Sequence, residues 1–148
     1  MKLDKYELSA SSNFITFEFV SEGLQGTIKK LIQFTETSYS EVYNLAFGDE
    51  DAGTGNLNDL AISNNGDSGK VLATVVAAVI AFTQKHPDAW VYARGSTNAR
   101  TRLYRMGISK YIDEISQEFD IYGQIQNEWE EFRLNTEYDA FLTQRKKH

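Results

Sequence analysis

The chain contains no cysteine, a single proline and only two histidines. Without cysteine there is no disulfide framework, thiolate zinc site or cysteine nucleophile, which excludes a small secreted fold held together by bridges. Two histidines, His86 and His148, supply neither a transition-metal ligand set nor a histidine-centred triad, so no metal site is expected. The longest apolar run, Val71 to Phe82, falls short of the roughly 20 residues that span a bilayer, and no membrane association is expected. Met1 to Lys5 lacks the apolar stretch of a signal peptide, which makes the cytoplasm the expected compartment.

What is present reads as one folded domain over residues 1–148. Hydrophobic residues make up 41% and charged residues 24%, and a chain of this length buries roughly 68 to 70% of its unfolded surface. The formal charge of −6 opposes general affinity for nucleic acid, which rests on a basic surface. That charge is unevenly distributed. From Arg94 to Lys110 there are five basic residues and no acid, which leaves ten basic against 21 acidic residues elsewhere.

Ile15, Phe17 and Phe19 alternate with polar residues at the period of a half-buried strand. Gly23 and Gly26 bracket a turn, after which Thr27 to Thr35 reads as a second strand and Tyr43 to Phe47 as a third. Gly48 to Gly55 reads as a solvated loop, since its acids lack the spacing and closing glutamate of a calcium loop. Leu57 to Ser63 is a fourth strand. A helix buried nearly all round then covers Val71 to Phe82, capped by Asp67 or Ser68 and stopped before His86-Pro87.

Ala89 to Ala93 is the next strand, and Gly95 to Asn98 opens a second helix that ends at Gly107, with Ala99, Leu103 and Met106 facing the core. Ile108 to Gln117 forms further helical turns. Phe119 to Tyr122 is a strand with Gly123 as its turn, Ile125 to Phe132 pairs back, and Arg145 to His148 is a frayed tail. Trp129, Tyr138 and Phe141 line a groove or, more simply, belong to the core. The fold class is therefore α+β: a mixed, mostly antiparallel sheet, a buried central helix and a strand-helix-strand-helix-strand C-terminal half.

Two segments could carry chemistry. The first joins a buried strand to a helix start, where free amides and the helix dipole favour an anion. Its candidate ligand-binding residues are Arg94, Ser96, Thr97, Asn98, Arg100, Arg102 and Arg105, with Tyr104 as a candidate proton donor. The alternative is that Ser96 or Thr97 is only a cap, the arginines pair with the chain's own acids, and Tyr104 is a surface aromatic. The second segment offers Gly66, Ser68, Gly69 and Lys70 to a phosphate, although Asp67 at the helix start favours capping.

Gly95-Ser96-Thr97, Arg100, Arg102-Leu103-Tyr104-Arg105, Gly107 and Phe119-Asp120-Ile121-Tyr122-Gly123 together resemble an uncharacterised bacterial family of about this length. Across Leu57 to Phe132, the antiparallel strands, the glycine-led helix and Asn98 to Ile108 resemble the GCN5-related acetyltransferase fold. That resemblance implies coenzyme A as cofactor, its pyrophosphate on the backbone of Gly66 through Lys70, and Tyr104 as the acid that protonates the departing thiolate. The chain departs from the family's pattern at Val71, where a small residue is usual, and between Phe19 and Thr27, where a helical pair has no room.

Two functions follow as expectations. One is a domain that binds a small anionic or phosphorylated ligand, coenzyme A included. The other is a non-catalytic interaction module, of the kind found in defence or toxin-antitoxin pairs, whose basic island meets an acidic protein partner.

Overall fold

The computed structural model describes residues 4–58 and 64–147. In chain order the elements are β1 (Ser9–Ala10), β2 (Thr16–Gly23), β3 (Gly26–Glu36), β4 (Val42–Glu50), β5 (Leu57–Asn58), α1 (Ser68–Lys85), β6 (Trp90–Ala93), α2 (Asn98–Lys110), α3 (Ile112–Glu118), β7 (Phe119–Ile125), β8 (Glu128–Glu131) and β9 (Ala140–Arg145). They build one sheet in the order β1-β2-β3-β4-β6-β9-β7-β8, with β5 added to β4. Every described pairing is antiparallel except that of β4 with β6. The expected α+β class with a mixed, mostly antiparallel sheet is the observed one.

Alternation decides which face is buried. Phe17, Phe19, Ile32, Phe34, Leu45, Phe47, Val91 and Phe141 project to one side and meet Val71, Val75, Ala78 and Phe82 of α1. The Phe34 and Phe82 rings stack with centroids 4.1 Å apart, a contact worth about 0.5 to 1.5 kcal/mol beyond its area. Helices α2 and α3 cover the same side farther along the sheet, through Tyr104, Ile108 and Ile115. On the opposite face Trp90 meets Tyr122 at 6.1 Å and Tyr92 meets Trp129 at 6.2 Å, the last ring 40% exposed.

Helix α1 begins one residue after Asp67, as expected, but its carboxylate makes no capping bond. It accepts instead from Tyr6 Oη at 2.6 Å and from Ser21 Oγ at 2.5 Å. Asn65, 1% exposed, grips the β2–β3 turn: its carbonyl accepts from the Leu24 amide, its Oδ1 from the Gln25 amide, and its Nδ2 donates to the Gly26 carbonyl. At the far end His86 closes the helix with its ring packed on Phe82, 4.9 Å between centroids.

Several boundaries differ from expectation. β4 runs on to Glu50, because antiparallel pairing with β3 reaches Asp49 and β5 joins beyond it, so the loop starts at Asp51. Of the expected fourth strand only Leu57–Asn58 is observed, and 59–63 lie outside the described residues. Gly123 is inside β7. The turn there is Gln126-Asn127, both at positive φ (51° and 68°), the backbone that a two-residue hairpin requires.

The largest correction concerns the C-terminal segment. Ala140–Arg145 is an interior strand between β6 and β7, because both its edges find antiparallel partners. Arg145, expected in a frayed tail, is held against α1: Nε donates to Thr83 Oγ1 at 3.0 Å and Nη2 to the Ile80 carbonyl at 3.1 Å. His148 lies outside the described residues.

Candidate functional site

The site is organised by the junction between β6 and α2. Thr97 has an extended backbone, and its Oγ1 accepts the Arg100 amide at 3.2 Å, which makes it the N-cap. The Gly95 amide donates to Thr101 Oγ1 at 3.0 Å, and a Cβ on Gly95 would lie 2.4 Å from the Thr101 nitrogen. Only glycine fits so tight a reversal.

The face of α2 that this junction turns inward is not the expected one. Arg100, Thr101, Tyr104 and Gly107 are buried, whereas Ala99 is exposed and Met106 is 47% exposed. Arg100 Nη1 donates to Ser96 Oγ at 2.7 Å, and Tyr104 carries an aromatic ring into the core. Gly107 does not end the helix. It sits where α2 crosses α1, with Leu72 Cδ2 only 3.3 Å from where its Cβ would stand, and α2 continues to Lys110.

The parallel pair β4 and β6 separates next to this junction. Pairing stops at Leu45 opposite Ala93, yet β4 continues to Glu50. Among the described residues no strand takes the β6-side edge of Ala46 to Gly48. A crevice of about 90 Å³ opens there, lined by Ala46, Phe47, Arg94, Ser96, Arg100 and Tyr104. Beside it lies a cleft of about 420 Å³ between the N-terminal halves of α1 and α2, bordered by Lys30, Phe47, Ser68, Thr97, Arg100 and Tyr104.

The cleft holds buried charge. Lys30 is 1% exposed and its Nζ lies 2.7 Å from Asp49 Oδ1. Asp67 borders the cleft with its carboxylate engaged by two hydroxyls, and burial followed by that carboxylate pushes the Tyr6 phenol above its ordinary pKa. The N-cap residue Asp67 gives the first-turn amides of α1 no side-chain bond.

A second cavity of about 370 Å³ lies on the other side of the α2 start. Arg94, Ser96, Thr97, Asn98, Arg102 and Arg105 form one side, and Glu137 and Asp139 the other. The closest opposite charges across it are Arg105 and Glu137, at 3.9 Å.

With these two cavities described, the family follows from the whole length of the chain. The chain belongs to DUF6934, a family of unknown function. The match covers residues 2–146, and so both cavities and every strand of the sheet. No significant match exists among curated proteins or among solved structures.

In this DUF6934 chain the expected basic island is divided. Arg100 and Tyr104 turn into the cleft with Ser68, whereas Asn98, Arg102 and Arg105 face the second cavity, and Arg94, Ser96 and Thr97 stand between. Three residues of the expected phosphate segment are elsewhere. Gly66 makes a turn at φ 75° beside Leu24, Gly69 faces Lys110, and Lys70 Nζ sits 4.4 Å over the Tyr6 ring. Lys30 and Asp67, missed as site residues, had a readable signal: Lys30 falls on the inward phase of Ile28, Ile32 and Phe34, where a charge demands a partner. Glu137 and Asp139 had none. Among the described residues no helix is long and apolar enough to cross a membrane.

Proposed function

We propose that the chain binds a phosphorylated, amide-bearing ligand of the coenzyme A type in the cleft between α1 and α2, with acetyltransferase-like topology. The observation that carries this reading is the separation of β4 from β6 after Leu45 and Ala93. Among the described residues no strand pairs with that edge of Ala46 to Gly48, and a strand edge offers backbone donors and acceptors, which is what an extended chain of amides needs. The cleft beside it supplies the rest: amides at the start of an 18-residue helix, given no side-chain bond by Asp67, suit a phosphate, and Phe47, Val71 and Leu103 suit an apolar arm.

Tyr104 borders both the crevice and the cleft. In an acyl transfer the departing thiolate needs a proton, and the resemblance to GCN5-related acetyltransferases assigns that donation to Tyr104. Its phenol is the tyrosine hydroxyl that α2 carries. The anion site moves accordingly from Gly66 and Lys70 to the amides that follow Asp67, with Ser68 at the mouth.

Calorimetric titration with coenzyme A and acetyl-coenzyme A tests the reading, using Ser68→Asp as the discriminating variant. A carboxylate at a helix start stabilises the helix by about 0.3 to 1 kcal/mol but repels a phosphate bound to the same amides. The expected result is a protein as stable as the parent whose Kd is at least about tenfold weaker. A parent chain that gives neither heat nor a thermal shift with either ligand overturns the proposal.

A further inference from the structure

The geometry points to a second ligand site, distinct from the α1–α2 cleft, that takes a dipeptide-sized zwitterion with a carboxylate at one end and an ammonium at the other. The 370 Å³ cavity at the outer side of α2 falls within the volume range of small-molecule sites. Its charges are sorted by wall. Arg94 at the end of β6, with Arg102 and Arg105 one turn apart on α2, face Glu137 and Asp139 from the segment that leads into β9.

These charges are not consumed by one another. Arg94 and Arg102 have no ion pair among the described residues, and Arg105 meets Glu137 only at 3.9 Å, well beyond the 2.7 to 2.9 Å of a charge-assisted hydrogen bond. Asp139 takes a hydrogen bond from the Gln126 amide at 3.3 Å, which leaves its charge uncompensated. The guanidinium groups of Arg94 and Arg102, without a carboxylate partner among the described residues, can take the two oxygens of a ligand's carboxylate.

Two carboxylates on the facing wall oppose a bare polyanion, and three arginines oppose a bare amine. Only a ligand carrying both signs is complemented on both sides. The backbone of both walls is also anchored. One is fixed by the Thr97 cap and the Gly95 reversal, the other by Tyr138, whose hydroxyl donates to Glu130 Oε2 at 2.7 Å and accepts from the Arg133 amide at 3.0 Å. The site uses neither Lys30 nor Tyr104, so it stands whether or not the cleft binds coenzyme A.

Chemical-shift titration of the full chain tests this with three probes: L-alanyl-L-alanine, its N-acetyl form without the ammonium, and its C-terminal amide without the carboxylate. The free dipeptide is expected to bind at least about tenfold tighter than either blocked form, with shifts centred on Arg94 to Arg105 and on 137–139. Arg102→Ala should reduce the dipeptide to the affinity of the amide, and Glu137→Gln should remove its advantage over the acetylated form. Both side chains are exposed, so both variants fold and circular dichroism checks this. An acetylated peptide that binds the parent as tightly as the free one, shifts that map to another surface, or the absence of shifts with all three probes overturns the proposal.

Discussion

Lys30 and Asp49 stand directly opposite each other on β3 and β4, with Nζ 2.7 Å from Oδ1 and the lysine 1% exposed. The pair lies on the face otherwise occupied by Ile32, Phe34 and Phe47, and the Phe47 ring is 5.7 Å from the ammonium. A charge so placed depends on its counter-charge, because solvent cannot replace it. Asp49→Ala should therefore lose about 3 to 5 kcal/mol, whereas Lys30→Met combined with Asp49→Ala should recover most of it. Urea denaturation followed by circular dichroism measures both. A single variant within about 0.5 kcal/mol of the parent, the range of an ordinary surface change, would mean that the ammonium is held by other groups.

Gly123 carries the second prediction. Its missing side chain leaves room for the buried Tyr138 ring, three carbons of which would lie 2.3 to 2.5 Å from an added Cβ. Tyr138 cannot retreat without breaking the bonds its hydroxyl makes to Glu130 and to the Arg133 amide. Gly123→Ala should cost about 1 to 3 kcal/mol, the usual range for overpacking, and Tyr138→Ala should relieve most of that clash in the double variant. Thermal unfolding of the four proteins in the cycle gives the coupling, and additive losses would refute the steric account.

How far the sequence alone reached is visible in particular residues. The Ile15-Phe17-Phe19 alternation announced β2, and the apolar run from Val71 announced α1, because both signals are local periodicities. β9 gave no such signal. Its six residues include Thr143, Gln144 and Arg145, and their placement depends on edges offered by β6 and β7, which are far away in sequence. The α2 face was misread for a related reason. A projection ranks residues by polarity, whereas the buried stripe here mixes Arg100 and Thr101 with Tyr104, with Arg100 Nη1 bonded to Ser96 and the Thr101 hydroxyl bonded to the Gly95 amide and the Thr97 carbonyl. Family membership over residues 2–146 upheld the resemblance to an uncharacterised family but assigns no activity. The arginines of the second cavity were legible as a basic cluster, while the acids that face them were not, because Glu137 and Asp139 reach them only through the return of the chain into β9.

Glu130 supplies a pH dependence whose sign is fixed by its neighbours. The Tyr138 hydroxyl, and after it Arg133, whose Nε lies 2.8 Å away, hold the Glu130 carboxyl below the usual glutamate value. A folded-state pKa below the unfolded one gives stability that is present above the unfolded value and is lost as pH falls through the folded value. Tyr138→Phe removes the larger cause, so carbon-detected titration of the side-chain carboxyl should show the Glu130 midpoint rising toward that of an ordinary glutamate, about 4.3. Arg133→Gln should raise it by less, because the phenol is the stronger partner. A midpoint unmoved by Tyr138→Phe would mean that the Arg133 guanidinium alone sets the carboxyl, and would leave the hydroxyl with only its structural bond to the Arg133 amide.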